Sequence, residues 1–260
     1  GTVVYDAAPG KLIMDKTNVY DAVVAIKTKD VDPANIAPAF QYGSVDLSNS
    51  VFTNNATGLK ITSKDDSSNT NSIINTIFLF EDSTINNPVH IELNDVDNLA
   101  VLKNSFFGNG EVANEYRGTA IKATNSSLLV AKELNSDLLN MPVDGNDFYN
   151  LSSGIESINT DNVAREITIT GSYFTKVNES INIDKYATGM IYQNEIDVPQ
   201  GTEENKTYGI SIGSNSAMVV TDNTFTTSNA MPIGVYGVIL TDSDSNKMDV
   251  YRNNFEGNFT

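Results

Sequence analysis

Two stretches near the end of the chain decide the fold: MVVTDNTF (Met218–Phe225) and MDVYRNNF (Met248–Phe255). They share Met at the first position, Val at the third, Asn at the sixth and Phe at the eighth. Six more stretches, which together with these two are called blocks below, follow the same pattern: VDLSNSVF (45–52), NSIINTIF (71–78), LAVLKNSF (99–106), MPVDGNDF (141–148), ITITGSYF (167–174) and GMIYQNEI (189–196). The third residue is always aliphatic, the sixth is Asn, Ser or Thr, and the eighth is Phe in all but one block. The pattern is that of an internal repeat.

The blocks recur at an almost constant period. Successive block ends lie 22 to 30 residues apart, except for one spacing of 42. The long spacing contains an insertion at about residues 125–140, whose apolar pattern fits a short helix and a looped-out hairpin equally well. A second strand-like segment follows the blocks, as in GLKI (58–61) and GISI (209–212), with the alternation of a half-buried strand.

The spacing within a block predicts a bend. Positions one and three face the same side of a strand, and Phe at position eight returns to that side only if the chain turns near position six. Asn, Ser and Thr suit such a turn, because their short polar side chains bond to nearby backbone and Asn tolerates a positive φ. The sequence therefore predicts an all-β, parallel β-solenoid with about 8–9 coils as a single domain over residues 1–260, with Phe stacked inside and an Asn ladder at the bend.

From roughly residue 23 to residue 258 the chain resembles the right-handed parallel β-helix of the pectin-lyase-like superfold, through blocks such as MVVTDNTF that are each followed by a second strand. That scaffold serves polysaccharide lyases, glycoside hydrolases, phage tailspikes and bacterial surface adhesins, so the resemblance implies an architecture and no single activity. A second resemblance is to autotransporter passengers, whose repeats carry F-x-x-N and G-G-A-I. Here F-x-x-N occurs at Phe52/Asn55, Phe106/Asn109 and Phe255/Asn258, and Gly118-Thr-Ala-Ile121 approximates G-G-A-I.

The composition restricts the partners. The net charge is -17, the sequence pI is about 4.2, and there is no Cys. So acidic a chain repels nucleic acid and anionic membranes, and the absence of Cys excludes disulfides and thiolate metal sites. No apolar run in this segment is long enough to span a bilayer. These features are compatible with an exported bacterial protein, and we predict that the chain is secreted or lies at the cell surface.

No catalytic residue or cofactor is predicted from the sequence. The single His, His90 in VHIEL, alternates against the apolar positions and is expected to face solvent. The three Arg residues (Arg117, Arg165 and Arg252) lack an adjacent Lys/Asp cluster of the kind a lyase needs. The run Lys64-Asp65-Asp66 is interpreted as the solvated turn after a strand.

One candidate metal site is predicted. Asp242, Asp244 and Asn246 have the D-x-D-x-N spacing that begins a Ca²⁺-binding loop. The loop lacks the Gly at position six and the Glu at position twelve of an EF-hand, so it is not one. A loose Ca²⁺ site at a coil corner is the remaining prediction.

Two functional hypotheses follow. The first is a structural and binding segment of an adhesin-like surface protein, presenting its surface to a protein or glycan. The alternative is a carbohydrate-active β-helix, either a polysaccharide lyase, a glycoside hydrolase or a tailspike-like glycan binder. The scarcity of His, Arg and Trp favours the first hypothesis. Five tyrosines expected to be exposed keep neutral-glycan binding open: Tyr20, Tyr42, Tyr116, Tyr186 and Tyr208.

The last residues bear on the extent of the solenoid. Arg252 to Thr260 open a further turn, and no polar cap follows them. Because an uncapped coil leaves an open strand edge, we expect further coils of the same polypeptide at one or both ends.

Overall fold

A computed structural model of the chain describes residues 3–5, 11–28, 44–62, 71–81, 85, 87–109, 116–131, 145–228, 233–241 and 247–260. The regular structure in these ranges is β-strand, and strands of successive coils pair in parallel. The chain is therefore an all-β parallel solenoid, as the block pattern predicts. Within the same ranges, no helix is long and apolar enough to cross a membrane.

One sheet contains the first strand of each coil, which coincides with the first half of the block in seven of the eight blocks. Its nine strands, one per coil, are β2 (Lys11–Asp15), β5 (Ser44–Ser48), β8 (Asn71–Ile74), β11 (Leu99–Leu102), β14 (Leu128–Ala131), β16 (Arg165–Thr170), β18 (Ala187–Tyr192), β21 (Ala217–Thr221) and β24 (Asp249–Tyr251). The nine strands agree closely with the predicted number of coils.

The second sheet has sixteen strands arranged in two rows. The Phe row carries the block's last residue and consists of β3 (Asn18–Tyr20), β6 (Val51–Thr53), β9 (Ile77–Leu79), β12 (Ser105–Phe107), β19 (Glu195–Asp197), β22 (Thr224–Thr226) and β25 (Asn254–Glu256). The Gly row carries the second strand of each coil and consists of β1 (Val3–Tyr5), β4 (Val24–Thr28), β7 (Thr57–Thr62), β10 (Val89–Asn94), β13 (Thr119–Thr124), β20 (Thr207–Ile212) and β23 (Val235–Leu240). Two long strands belong to both rows: β15 (Asp147–Ile158) and β17 (Tyr173–Ile183).

The start of the predicted insertion is part of the solenoid. Leu128–Ala131 forms β14, and Val130 stands opposite Val101 on one side and Ile169 on the other. Val130 thus occupies the third block position that the sequence pattern gave to Val143. Residues 132–144 lie outside the described residues. The inserted segment follows β14 and splits the block, which the pattern could not reveal because MPV also ends in an aliphatic residue.

The seven Phe residues at the eighth block position form one column, as predicted, and all of them except the terminal Phe255 are buried. Neighbouring ring centroids are separated as follows: Phe52–Phe78 5.1 Å, Phe78–Phe106 5.1 Å, Phe106–Phe148 4.9 Å, Phe148–Phe174 4.4 Å and Phe225–Phe255 4.7 Å. Ile196 fills the column between Phe174 and Phe225. These separations match the distance between neighbouring strands of a sheet. Each ring therefore stacks on the ring of the next coil and buries apolar surface with it.

The predicted Asn ladder is also present, at the sixth block position. Each Asn Oδ1 accepts a hydrogen bond from the backbone N–H of the sixth residue one coil earlier: Thr76 to Asn104 2.8 Å, Asn104 to Asn146 2.9 Å, Ser172 to Asn194 3.0 Å, Asn194 to Asn223 3.0 Å and Asn223 to Asn253 3.0 Å. The left-handed backbone lies one residue earlier than expected, at the fifth position, with φ of 48° at Asn49 and 54° at Gln193. The fifth residue makes the turn, which leaves the sixth side chain free to point inward.

Small residues lead the strands of the Gly row because the Phe column lies against them. A Cβ added to Gly154 would lie 2.9 Å from the ring of Phe174, and one added to Gly209 would lie 2.7 Å from the ring of Phe225. Contacts this short do not occur in a close-packed interior. The Phe of one coil therefore restricts this position of the preceding coil to a small side chain.

His90 is the exception in this column, and its predicted exposure is wrong. The side chain is only 1% exposed. The prediction failed because His90 and Ile91 are consecutive buried residues, which interrupts the strict alternation assumed for this strand. The imidazole stacks on Phe80 with ring centroids 3.6 Å apart, and its Nε2–H donates to the carbonyl of Phe107 at 3.0 Å. Burial lowers the pKa of His90 to about 3, so the ring is neutral.

Candidate ligand-binding groove

The strands β15 and β17 differ from the rest of the large sheet because they pass from the Phe row to the Gly row without a break. The chain bends within each strand at a residue with positive φ, Asn150 at 56° and Lys176 at 56°. In the next coil the two rows are separated by the segment 198–206, between β19 and β20. Two unbroken strands thus lie beside a coil that carries a long connecting loop.

A cavity of about 550 Å³ lies where this loop meets the two strands. Its floor comes from β15 and β17 and its wall from the loop and the start of β20. The lining residues are Ser152, Ser153, Glu156, Asn178, Glu179, Glu204, Asn205, Lys206, Thr207 and Tyr208. The lining therefore combines hydroxyl, amide and carboxylate groups with one aromatic ring.

A second cavity of about 410 Å³ continues from the first, and Glu156 lines both. Asn182 and Asp184 follow on β17 and just after it, and Thr241 stands on the far side. We call the two cavities together the groove. It follows the direction of β15 and β17 and crosses the solenoid from one coil corner towards the next.

The carboxylates of the groove have few partners. Glu179 accepts a hydrogen bond from Asn182 Nδ2 at 3.5 Å, and Tyr208 lies beside it. Lys122 stands opposite Glu156 on the neighbouring strand, but no salt bridge joins them among the described residues. Burial and the carboxylates of Glu179 and Glu156 raise the pKa of the Tyr208 hydroxyl above its usual range. Tyr208 therefore keeps its proton and acts in the groove as a hydrogen-bonding group, not as a base.

A smaller titratable cluster lies next to the groove, on the Phe-row side of the bend. Lys176 Nζ is 5.7 Å from the ring centroid of Tyr149, and the charge of Lys176 also acts on Asp197 and Tyr116. Burial raises the pKa of the Asp197 carboxyl, partly offset by a hydrogen bond from Thr226 and by Lys176. The four residues Tyr116, Tyr149, Lys176 and Asp197 thus come from four successive coils.

A third cavity, of about 600 Å³, lies on the face of the nine-stranded sheet. Two of its carboxylates are already paired: Asp46 forms a salt bridge with Lys11, and Asp97 lies 3.8 Å from Arg165. Because two of its three lining carboxylates (Asp46, Asp97 and Glu166) are neutralised within the protein, this cavity is a weaker candidate for a ligand.

The metal site predicted from the sequence falls on residues that the structure does not describe. Asp242, Asp244 and Asn246, the predicted Ca²⁺ ligands, lie outside the described residues, as do Lys64-Asp65-Asp66. In the parts of the chain that the structure describes, no group of three His, Cys, Asp or Glu side chains is placed to hold a metal ion.

The three Arg residues have structural contacts. Arg165 pairs with Asp161 and Asp97, and Arg252 bonds to Asp222 at 2.6 and 2.8 Å. The backbone N–H of Arg117 donates to the carbonyl of Asn109 at 2.8 Å.

The tyrosines predicted to be exposed divide into several groups. Tyr20 is 54% exposed, Tyr186 and Tyr208 are half-buried, and Tyr42 lies outside the described residues. The prediction for Tyr116 is wrong, because this side chain is only 8% exposed.

The groove residues other than Tyr208 were missed, and the sequence held no distinguishing signal for them. Phe52 and Phe148 are each followed six residues later by a Gly with no Gly or Pro between, yet only the second pair lies on one unbroken strand.

In comparisons with known proteins, the chain matches no family model, no curated protein and no solved structure. The parallel β-solenoid is therefore established here by the strand pairings alone.

Proposed function

We propose that the chain is a glycan-binding segment of a secreted or cell-surface, adhesin-like β-solenoid, and that the glycan binds in the groove. Within this proposal the solenoid is of the pectin-lyase-like kind, as its three strands per coil and its Asn ladder suggest. One observation supports the proposal most strongly: a cavity of about 550 Å³ lined by hydroxyl, amide and carboxylate groups beside a tyrosine ring.

The chemistry of the lining fits a sugar better than an apolar ligand. Sugar hydroxyls need donors and acceptors in fixed positions, and side chains on paired strands are held rigidly. Ser153, Glu156 and Glu179 project from strands whose register is fixed on both sides. Tyr208 adds a face against which the C–H surface of a sugar ring can pack.

Calorimetric titration with a panel of neutral, acidic and basic oligosaccharides tests the proposal. We expect at least one oligosaccharide to bind, and Tyr208→Ala to weaken its binding about tenfold, a loss typical of one aromatic contact. Tyr20→Ala is the matched control, since Tyr20 is exposed on another part of the surface. Equal losses in both variants, or no binding across the panel, would contradict the proposal.

The location of the protein is tested separately. Antibody labelling of intact cells of the source organism, compared with permeabilised cells, should detect the chain outside the cell. Labelling only after permeabilisation would contradict a secreted or cell-surface location.

A second candidate function is a carbohydrate-active enzyme, and one observation favours it. Burial raises the pKa of Asp197, and Lys176 and Tyr149 lie in the same cluster, an arrangement that suits proton transfer. Incubation with the oligosaccharides that bind, followed by chromatography of the products, separates a binder from an enzyme. Cleavage that is lost in Asp197→Asn would support the enzyme.

A further inference from the structure

The charge of the groove is unbalanced. The 550 Å³ cavity is lined by three carboxylates, those of Glu156, Glu179 and Glu204, and by one ammonium group, that of Lys206. The Lys206 Nζ lies over the ring of Tyr236 in the next coil, 5.9 Å from its centroid. The adjoining cavity adds the carboxylate of Asp184. The groove thus has more negative charge than its own lysine neutralises.

Some carboxylates outside the groove have a cationic partner. Glu92 is one coil from Lys60 on the same outward column and forms a 2.8 Å salt bridge with it. Asp222 is bound by Arg252 in the same way. No salt bridge to a described Lys or Arg engages Glu156, Glu179 or Glu204. The charge of these three groove carboxylates is therefore not neutralised by a salt bridge within the described residues.

A second observation concerns hydrogen-bond acceptors. The Oδ1 atom of Asn178, a lining residue, has no hydrogen-bond partner in the protein. This oxygen and the carboxylates without a salt bridge are an excess of acceptors that lack a donor, so a ligand rich in N–H or O–H groups complements them. A metal ion fits less well, because no group of three acidic or His side chains among the described residues is placed to hold one.

We propose that the groove selects a glycan bearing protonated primary amines, such as an oligomer of β-1,4-linked glucosamine. This inference rests on the proposed glycan-binding function. The ammonium groups would lie against Glu156 and Glu179, and the ring hydroxyls would bond to the Ser, Thr and Asn side chains of the lining. An ammonium is a triple donor with a positive charge, which satisfies both the charge excess and the acceptor excess.

The test uses two probes with the same sugar backbone, one with charged amines and one with neutral acetamides in their place. Glucosamine hexamer carries protonated amines at mildly acidic pH, and fully N-acetylated hexamer has the same backbone without charge. We expect the amine form to bind at least about tenfold more tightly at low salt, and the difference to shrink as salt screens the charges. The double variant Glu156→Gln/Glu179→Gln should lose this preference.

The double variant Glu166→Gln/Glu195→Gln is the matched control for net charge. Both residues are exposed and neither lines the groove, so this variant should keep the preference. Since each double variant replaces two surface carboxylates by amides, thermal unfolding should confirm that each is folded. An equal loss in Glu166→Gln/Glu195→Gln would overturn the inference, because binding would then reflect only the overall negative charge.

The remaining outcomes separate the inference from the proposed function. Equal binding of the two hexamers would overturn amine selection and leave glycan binding intact. No binding of either hexamer, or of any oligosaccharide in the panel, would overturn both. Spermidine tests the ammonium groups without a sugar. If it binds as tightly as the amine hexamer, the sugar ring contributes nothing and the proposed function fails.

Discussion

The outward columns of the Gly row differ between the two halves of the solenoid. In the first half the column reads Lys27, Lys60, Glu92 and Lys122, so three cations accompany one carboxylate, which is paired with Lys60. In the second half it continues with Glu156, Asn182, Ser211 and Ile239, without a further cation. Beneath both halves lies the same interior of stacked Phe and aliphatic side chains.

This difference shows which positions the architecture constrains. The interior must repeat, because each coil packs only on its two neighbours and a change in one propagates to the next. The outward positions have no such constraint, so their chemistry is free to vary along the axis. Outward-facing positions that depart from the repeat are therefore the best candidates for functional residues. The groove lies at such a departure.

The largest expected loss of stability comes from the Phe column, which both halves of the solenoid share. Phe78→Ala in the first half and Phe148→Ala in the second should each lower the free energy of unfolding by about 3–5 kcal/mol, because each leaves a buried cavity in the column. Phe255→Ala should cost less, since that ring is 48% exposed. Urea denaturation measures all three. A large loss in one half and none in the other would mean that the halves do not share one interior.

The ladder should give the next largest effect. Asn223 Oδ1 accepts from the backbone N–H of Asn194 at 3.0 Å, and its Nδ2 donates to the carbonyl of Ile191 at 2.9 Å. Asn223→Ala should lower the free energy of unfolding by about 2–3 kcal/mol, because buried backbone groups lose their partners. Asn254→Ala, an exposed Asn outside the ladder, is the control. Equal losses in the two variants would contradict a special role for the ladder.

His90 gives the first half of the solenoid an acid sensitivity between about pH 6.5 and pH 3. Its folded pKa is about 3, well below the ordinary value of 6.5, so the unfolded chain binds a proton that the folded chain does not. His90 therefore makes the protein lose stability as the pH falls from 6.5 towards 3, by up to about 1.4 kcal/mol per pH unit.

The variant His90→Phe keeps an aromatic ring and removes the titration. Compared with the original chain, its free energy of unfolding should fall less steeply over the same pH range in urea titrations. Parallel curves for the two proteins would show that His90 is not buried as a neutral ring.

The smallest effect concerns the outward columns themselves. Glu92→Gln should lower the free energy of unfolding by about 0.5 kcal/mol, because it breaks a partly exposed salt bridge with Lys60. Glu156→Gln should leave it unchanged or raise it slightly, since that carboxylate has no salt bridge among the described residues. A clear loss in Glu156→Gln would mean that the groove carboxylates stabilise the fold.

The repeat made the interior predictable from sequence. Phe at position eight and Asn at position six recur often enough to fix their columns, and both are confirmed. The position of the left-handed residue was missed by one, because Asn, which tolerates a positive φ, occurs in five of the eight blocks at the sixth position and in only two at the fifth. The burial of His90 depends on two neighbouring inward residues in β10, which the alternation rule does not allow for.

The groove was largely beyond prediction. It depends on which coils pass through the bend without a break and on how the loop at 198–206 lies beside them, and both are tertiary properties. Glu156 and Glu179 are ordinary outward residues in the sequence. Only the parallel register of β15, β17 and β20 brings them next to Tyr208.

The strand pairings have a mechanical consequence. Every coil is held by parallel hydrogen bonds to its neighbours alone, and no described strand ties the first coils to the last. A chain pulled from one end would detach coil by coil, each step releasing a similar length of polypeptide. Such a structure yields gradually under load, which suits a protein exposed to shear.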